Sequence, residues 1–197
     1  MPQGKQAKVL TPRQERRVLE RLETTRYPAR DRVIFLLSIK AGLRAKEIAS
    51  LTWAMATDAE GNVAEEIALT DASSKGTGGG RTIPMHPALL QALGALQAAR
   101  GEKAPPDLPV VHSERGRGMS AASVAVWFHR LYSDLGLSGC SSHSGRRTFI
   151  TRAAHKIVEA GGSLRDVQQL AGHANLGTTQ RYIEGSTEAK RRVVALI

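Results

Sequence analysis

The 197-residue chain has one cysteine, few aromatic residues and a shortage of acidic residues. A single cysteine, Cys140, excludes an internal disulfide framework and is consistent with a reducing compartment. No apolar run is long enough to cross a membrane, and the N-terminus lacks the apolar segment of a secretory signal. These absences predict a cytoplasmic protein without membrane contact.

The shortage of acidic residues leaves a strongly basic chain, with 28 Lys and Arg against 18 Asp and Glu and a net charge of +10. Such a balance favours a polyanion as partner, most simply nucleic acid. The alternative is a basic surface that only keeps the protein in solution. An apolar content of 41% is enough to build the core of one domain.

Metal-ligand spacing is almost missing as well. Cys140 and His143 form a Cys-x-x-His pair, but no second pair with zinc-like spacing exists in the sequence. The sequence therefore predicts no metal and no cofactor.

Hydrophobic periodicity predicts an α+β fold, mainly helical, with a small antiparallel sheet of three strands. The predicted helices cover residues 11–22, 29–41, 45–51, 87–100 and 121–135, and the predicted strands lie at 53–57, 66–70 and 81–85. Thr11 with Pro12 and Gln14 has the pattern of a capped helix start. We expect a flexible basic leader over residues 1–10, one main domain over 11–185, and an amphipathic tail helix over 186–197.

Polar residues concentrate in the last quarter of the chain, where a small domain would normally place apolar ones. His143 and Arg146 are three residues apart and share one face of a helix, so they can converge on one small anionic group. The turn after Gly172 places His173 on a rim, and Thr178 or Thr179 can cap a short helix whose second turn carries Tyr182. A tyrosine with its free pKa of about 10 needs nearby cations to act as a nucleophile.

Two further cations have open interpretations. Arg44 lies between two strongly apolar helices, where an unpaired buried charge is very costly. It is either paired, for instance with Glu47, or it binds an anionic ligand. Lys75 lies in the glycine-rich turn 73–80, and is either solvated or reaches a site when substrate orders the turn.

Several basic residues are candidates for contact with a nucleic-acid backbone, although a solvated surface is the default for such runs. They lie on the first helix, in the Arg-Gly-Arg loop and beside Arg146. The candidates are Arg13, Arg17, Arg115, Arg117 and Arg147.

These residues together carry a resemblance. The segment from Ala41 to Glu47, Ala-Gly-Leu-Arg-Ala-Lys-Glu, resembles the first conserved box of the tyrosine recombinase (phage integrase) family. The second box is matched by His143-x-x-Arg146, Ala171-Gly172-His173 and the nine-residue step to Tyr182, and Lys75 lies in the hairpin where that family keeps its catalytic lysine. The resemblance spans Thr11 to the C-terminus, which is the family's catalytic domain. The chain is similar to a catalytic-domain-only member, like the small fimbrial-switch inversion recombinases.

The resemblance implies a site-specific recombinase that cuts and rejoins DNA through a 3′-phosphotyrosyl intermediate, in integration, excision or inversion. Tyr182 would be the nucleophile, Arg44 and Arg146 would clamp the phosphate, and Lys75 would protonate the leaving oxygen. His143 would assist proton transfer, His173 would donate to the phosphate, and Glu47 would buttress the site.

The resemblance also implies partners. The substrate would be double-stranded DNA, and the tail would dock on a neighbouring subunit to couple the sites of a tetramer. Because the chain has no room for the family's usual core-binding domain, we expect site selectivity to depend on oligomerisation or on an accessory DNA-binding protein. The alternatives are a non-catalytic recombinase-like regulator and a strand transferase of the type IB topoisomerase kind.

Overall fold

The computed structural model describes residues 6–71, 80–101, 103–114, 116–182 and 194. Its helices are α1 (Pro12–Glu23), α2 (Pro28–Lys40), α3 (Ala45–Ser50), α4 (Pro87–Ala98), α5 (Ala121–Asp134), α6 (Ser144–Lys156), α7 (Leu164–Ala171) and α8 (Leu176–Gln180). The strands are β1 (Glu66–Leu69) and β2 (Arg81–Pro84). The predicted α+β class, mainly helical with a small antiparallel sheet, is confirmed.

Helix α2 forms the centre of the core. Every residue from Val33 to Ile39 is buried, because α1, α4 and α6 all pack against this helix. At Gly145 the backbone of α6 approaches α2 closely, and an added Cβ would lie 2.3 Å from the Ser38 hydroxyl oxygen. This contact sets the distance between α2 and the beginning of α6.

The predicted first strand is wrong. Trp53–Met55 form a short 3₁₀ helix with the Trp53 side chain fully buried. The amides of Trp53 and Ala54 donate to the carbonyls of Leu108 and Pro106, so this segment pairs with a loop. Among the described residues the sheet therefore has two strands, β1 and β2, and in their antiparallel register the buried Ile67 lies opposite the buried Ile83.

The second half of the predicted leader packs on the domain. Leu10 is buried, and its amide donates to the Thr148 hydroxyl in α6 at 2.8 Å. The amide of Lys8 donates to the Gly139 carbonyl at 3.1 Å. One apolar side chain and two hydrogen bonds from backbone amides thus hold residues 8–10 against α6 and the segment before it.

Helices α1, α2 and α6 are also joined by a carboxylate. Glu15 in α1 forms ion pairs with Lys40 at 2.6 Å and with Arg152 at 2.5 Å. Burial alone would raise the pKa of Glu15, but the hydrogen bonds and charges of these two cations outweigh it and lower that pKa. None of the described helices is long and apolar enough to cross a membrane.

Candidate active site

A cleft of about 1010 Å³ lies between the start of α3, the start of α6 and the segment around α8. It collects five of the six residues that the sequence predicted as catalytic, namely Arg44, His143, Arg146, His173 and Tyr182. They are separated by up to 138 positions in the chain, so the fold brings them together. The sixth residue, Lys75, lies outside the described residues.

A buried carboxylate organises the cations behind the cleft. Glu47 is fully buried and accepts hydrogen bonds from the backbone amide of Arg44 at 2.7 Å and from its Nη1 at 2.9 Å. Arg81 donates to both carboxylate oxygens, at 2.8 and 3.1 Å. Nη1 of Arg146 lies 4.0 Å from Oε2 of the same group. Three guanidinium groups therefore share one carboxylate, which leaves a positive surplus for an anionic ligand.

The electrostatics of Glu47 follow from these contacts. Burial alone would raise its pKa, but the hydrogen bonds and charges of Arg81 and Arg44 outweigh burial and hold the pKa below its ordinary value. Of the two interpretations left open for Arg44, the structure confirms the pairing, and binding of an anionic ligand stays a prediction. It is paired with Glu47 and it lines the cleft.

Arg146 is the most enclosed cation of the cleft. Its side chain is buried, and its two terminal nitrogens donate to the carbonyls of Gly42 at 2.6 Å and Ala171 at 2.5 Å. Burial and the neighbouring charge of Arg44 lower the pKa of Arg146 to about 9, so the group is still protonated at neutral pH. Two carbonyls and a close carboxylate thus hold a charged guanidinium in one orientation.

His173 is buried against α8. Its Nδ1 lies 2.9 Å from the Thr179 hydroxyl, which leaves Nε2 for a ligand in the cleft. Burial and the charges of the three surrounding arginines lower the pKa of His173 to about 4. The imidazole is therefore neutral at pH 7, and it can donate one hydrogen bond from the nitrogen that carries the proton.

Tyr182 lies beside His173, with ring centroids 5.7 Å apart and ring planes inclined by 23°. The Arg147 guanidinium is 5.9 Å from the centre of the tyrosine ring, on the same cleft. A tyrosine hydroxyl, a neutral imidazole and several cations therefore line one cavity, and groups of these kinds can attack and bind a phosphate ester.

One local prediction in this region needs correction and another does not. His143 directly precedes α6 in helical conformation, and it lines the same cleft as Arg146, three residues further on. Asn175 caps α8, since its side chain accepts from the Gly177 amide at 2.7 Å. Thr179 consequently lies inside α8, where its hydroxyl reaches His173, and Tyr182 follows the end of the helix.

Only some of the residues predicted to contact a nucleic-acid backbone lie at this cleft. Arg147 lines the cleft, whereas Arg13, Arg17 and Arg117 are exposed and are not among its lining residues. Arg17 donates instead to the Leu135 carbonyl at 3.3 Å. Arg115 lies outside the described residues.

Sequence reasoning gave no site role to four residues that the structure places at or behind the cleft. Lys8 and Arg181 line it, while Thr179 and Arg81 hold residues that do. The signal available for Arg81 was its position directly after the hairpin that carries Lys75. Nothing in the sequence distinguishes Lys8 from an ordinary solvated lysine, because basic residues near a chain end are usually exposed.

The described part of the chain contains no group of three or more His, Cys, Asp or Glu side chains placed to bind a metal ion. Cys140 is a free thiol that lines the same cleft.

The fold defined by these elements is that of tyrosine recombinase catalytic domains. The structure of the Tn1549 transposon integrase in complex with transposon right end DNA aligns with a TM-score of 0.71 and 23% identity, over 97% of this chain and 65% of that one. A crystal structure of XerA recombinase also aligns with a TM-score of 0.71 and 23% identity, over 99% of this chain and 66% of that one.

Sequence comparison places the chain in a family. Residues 8–188 match the family model described as Phage integrase family, and the chain belongs to that family. The tyrosine recombinase XerA of Thermococcus onnurineus is 29% identical over 186 residues, which are 94% of this chain and 61% of that protein. XerC of Shewanella amazonensis is 33% identical over 154 residues, 78% of this chain and 48% of that protein.

The chain thus spans about half the length of the curated relatives it matches. The predicted family is confirmed. The narrower resemblance to fimbrial-switch inversion recombinases stays a prediction.

Proposed function

We propose that this chain is the catalytic part of a site-specific DNA recombinase, which cuts and rejoins DNA strands through a covalent 3′-phosphotyrosyl intermediate. The observation that carries the proposal is the cleft in which Tyr182 lies beside a neutral His173 and above the arginines held by Glu47. Membership of the phage integrase family supports it.

In the proposed reaction the Tyr182 oxygen attacks a DNA phosphorus, a bond from tyrosine to phosphorus forms, and the bond to the 5′-oxygen breaks. His143 assists removal of the tyrosine proton, and Lys75 gives a proton to the 5′-oxygen. The second transesterification reverses these steps with a different 5′-hydroxyl. Because the phosphotyrosyl bond conserves the energy of the phosphodiester, rejoining needs no energy-rich co-substrate.

The phosphate would be held by three groups. Arg44 and Arg146 face its non-bridging oxygens, and His173 donates to it from the ring edge opposite Thr179. The arginines are oriented before DNA arrives, by Glu47 and by backbone carbonyls, so little reorganisation is needed as charge develops in the transition state.

The proposed substrate is double-stranded DNA, and the proposed location is the cytoplasm. Among structural relatives, XerH has been solved bound to a palindromic difH substrate in a post-cleavage complex. Backbone contact is proposed for the cations outside the catalytic set. They are Arg13, Arg17, Arg115, Arg117 and Arg147. Assembly of a tetramer through the tail, and help from an accessory DNA-binding protein, are part of the same proposal.

Covalent trapping tests the proposal. Wild-type protein, Tyr182→Phe and Tyr132→Phe are each incubated with a library of nicked duplexes, denatured and run on a gel. Tyr132 is a buried core residue whose hydroxyl has no hydrogen-bond partner among the described residues, so its loss is a matched control. We expect a DNA adduct with the wild type and with Tyr132→Phe, and none with Tyr182→Phe.

The other outcomes separate the alternatives. If salt-sensitive binding occurs without any adduct, the chain is a DNA-binding regulator and the proposal is wrong. If adducts form and supercoils relax without any need for two copies of one sequence, the activity is that of a topoisomerase. Sequencing the DNA in the adduct identifies the site.

A further inference from the structure

Arg81 is the cation that the catalytic assignment leaves unused. It is the first residue of β2, six positions after Lys75 in the sequence, and its side chain is only 10% exposed. It is not among the residues that line the cleft. Arg81 therefore has the charge of a catalytic residue and the burial of a structural one.

The contacts of Arg81 connect separate parts of the site. Two of its nitrogens hold the Glu47 carboxylate, at 2.8 and 3.1 Å, and its Nε donates to the Leu170 carbonyl at 3.1 Å. Glu47 in turn fixes Arg44. One guanidinium thus joins the start of β2 to α3 and to the end of α7.

The contact with α7 bears on His173. The last carbonyls of a helix lack partners within it, and Arg81 satisfies one of them immediately before the turn at Gly172. This turn fits closely around the arginine, since a Cβ at Gly172 would lie 2.8 Å from Nη1 of Arg81. Gly172 has a φ of +60°, and the next residue is His173.

We propose that Arg81 is a positioning residue for strand cleavage, which sets the geometry of Arg44 through Glu47 and that of His173 through the end of α7. The proposal rests on the proposed function. Arg81 does not touch the phosphate and contributes little to DNA affinity. Its loss displaces two phosphate-binding groups at once.

The chain contains a matched structural arginine. Arg152 also pairs with a carboxylate, Glu15, and also donates to a backbone carbonyl, that of Leu10 at 3.1 Å, but it does not line the cleft. Replacing it removes the same kinds of contact at a distance from the site. Arg152→Met is therefore the control for a loss of packing and charge pairing alone.

The first measurement compares Arg81→Met, Arg81→Lys and Arg152→Met with the wild type. The probe is a nicked duplex of the sequence recovered from the wild-type adduct. We expect Arg81→Met to lower the rate constant of adduct formation about 100-fold, because a displacement of catalytic groups near 1 Å can have an effect of this size. The dissociation constant for DNA should change less than about threefold, because Arg81 does not contact the DNA. Arg81→Lys keeps the charge but loses the planar fork, so its rate should fall between the two. Arg152→Met should cleave at the wild-type rate.

The second measurement does not depend on DNA cleavage. NMR spectra of protein with labelled histidine report the ring of His173, which is faced by Arg44, Arg81, Arg146 and Tyr182. Both Arg81 variants should shift the His173 signals. Arg81→Met should also raise the pH midpoint of the His173 titration, because it removes a nearby positive charge. Arg152→Met should change neither the signals nor the midpoint. If Arg81→Met does not fold, Arg81→Lys carries both measurements.

The outcomes are distinct. Unchanged His173 signals in folded Arg81 variants, or cleavage and DNA affinity that fall together, overturn the positioning role. If the wild type forms no adduct, the proposed function fails, and the His173 spectra alone decide whether Arg81 organises the site.

Discussion

The rings of His173 and Tyr182 are stacked, with centroids 5.7 Å apart and planes inclined by 23°. His173 is also tied to Thr179 at 2.9 Å, and the amide of Tyr182 donates to the Thr179 carbonyl at 3.0 Å. One threonine therefore fixes both rings, through its side chain and through its backbone. The proposed nucleophile and the proposed hydrogen-bond donor to the phosphate are held as a unit.

The pKa of His173 predicts a pH dependence of stability. Its value of about 4 in the folded protein lies below the 6.5 of a free histidine, so the unfolded chain binds a proton that the folded one does not. This effect is absent above pH 6.5, and it lowers stability by up to about 1.4 kcal/mol per pH unit as the pH falls towards 4. His173→Gln should reduce the slope between pH 6.5 and 4.5, measured by urea unfolding.

His86 and His112, whose pKa values are also lowered by burial, contribute to the same window and supply the control. His86→Gln should change the slope less than His173→Gln does. Equal slopes for the wild type and His173→Gln would contradict the assignment of a neutral, buried imidazole.

Glu47→Gln should be strongly destabilising. Breaking a buried ion pair by removing one partner costs about 3–5 kcal/mol, and here three arginines lose their shared carboxylate. Sulfate, a dianion that fits between guanidinium groups, should recover part of the loss by binding the folded state. The measurement is the melting temperature with and without sulfate at constant ionic strength.

Glu15→Gln is the matched control for that prediction, because it breaks two ion pairs outside the cleft. It should lower the melting temperature without a specific response to sulfate. An equal response of both variants would mean that the arginines behind the cleft do not form an anion site.

Two glycines in helices should respond in opposite directions to alanine. At Gly145 in α6 the new Cβ would lie 2.3 Å from the Ser38 hydroxyl oxygen, so Gly145→Ala should cost about 1–3 kcal/mol as overpacking does. At Gly94 in α4 nothing lies within 4 Å, and Gly94→Ala should stabilise by about 0.5–1 kcal/mol. Denaturant unfolding measures both, and a neutral Gly145→Ala would contradict the close approach of α6 to α2.

Arg147 should carry part of the salt dependence of DNA binding. Each phosphate contact that is lost lowers the slope of log K against log salt by about 0.9. Arg147→Gln should show this change, because the side chain lines the cleft beside Tyr182. Arg26→Gln is the control, since Arg26 is exposed and paired with Glu114 at 3.0 Å. An unchanged slope for Arg147→Gln would exclude the phosphate contact.

The tail gives a prediction about assembly. Residues 186–197 lie outside the described residues apart from Val194, and the sequence predicts an amphipathic helix that docks on a neighbouring subunit. Deleting them should weaken assembly on DNA more than it weakens DNA binding. Gel-shift titration resolves the two, and an equal loss of both would contradict the docking role.

Much of the fold followed from local patterns. The α1 cap at Thr11, the buried α2 and the β1–β2 hairpin all have short-range signals, and the structure confirms them. The strand predicted at residues 53–57 is wrong, because Trp53–Met55 form a 3₁₀ turn in which the Trp53 side chain is fully buried. Alternation over so few residues does not distinguish these two outcomes.

The site shows the same division. Residue types and spacing indicated a site for an anionic group around His143, Arg146, His173 and Tyr182, and the resemblance to the family added Arg44 and the individual roles. Sequence did not reveal that Arg81 shares Glu47 with Arg44, or that Thr179 orients His173. Those partners are 34 and six positions away, on elements whose packing decides which groups meet.

The amino-acid order alone predicted most of the helices of this domain, since capping and periodicity act over a few residues, and its resemblance to one family predicted the residues of the site. Packing decided the protonation state and the orientation of the side chains in the site. Burial against α8 and three arginines makes His173 neutral, and the carbonyls of Gly42 and Ala171 orient Arg146. Desolvation and charge coupling depend on distances between elements remote in sequence, and these distances exist only once the core around α2 has formed.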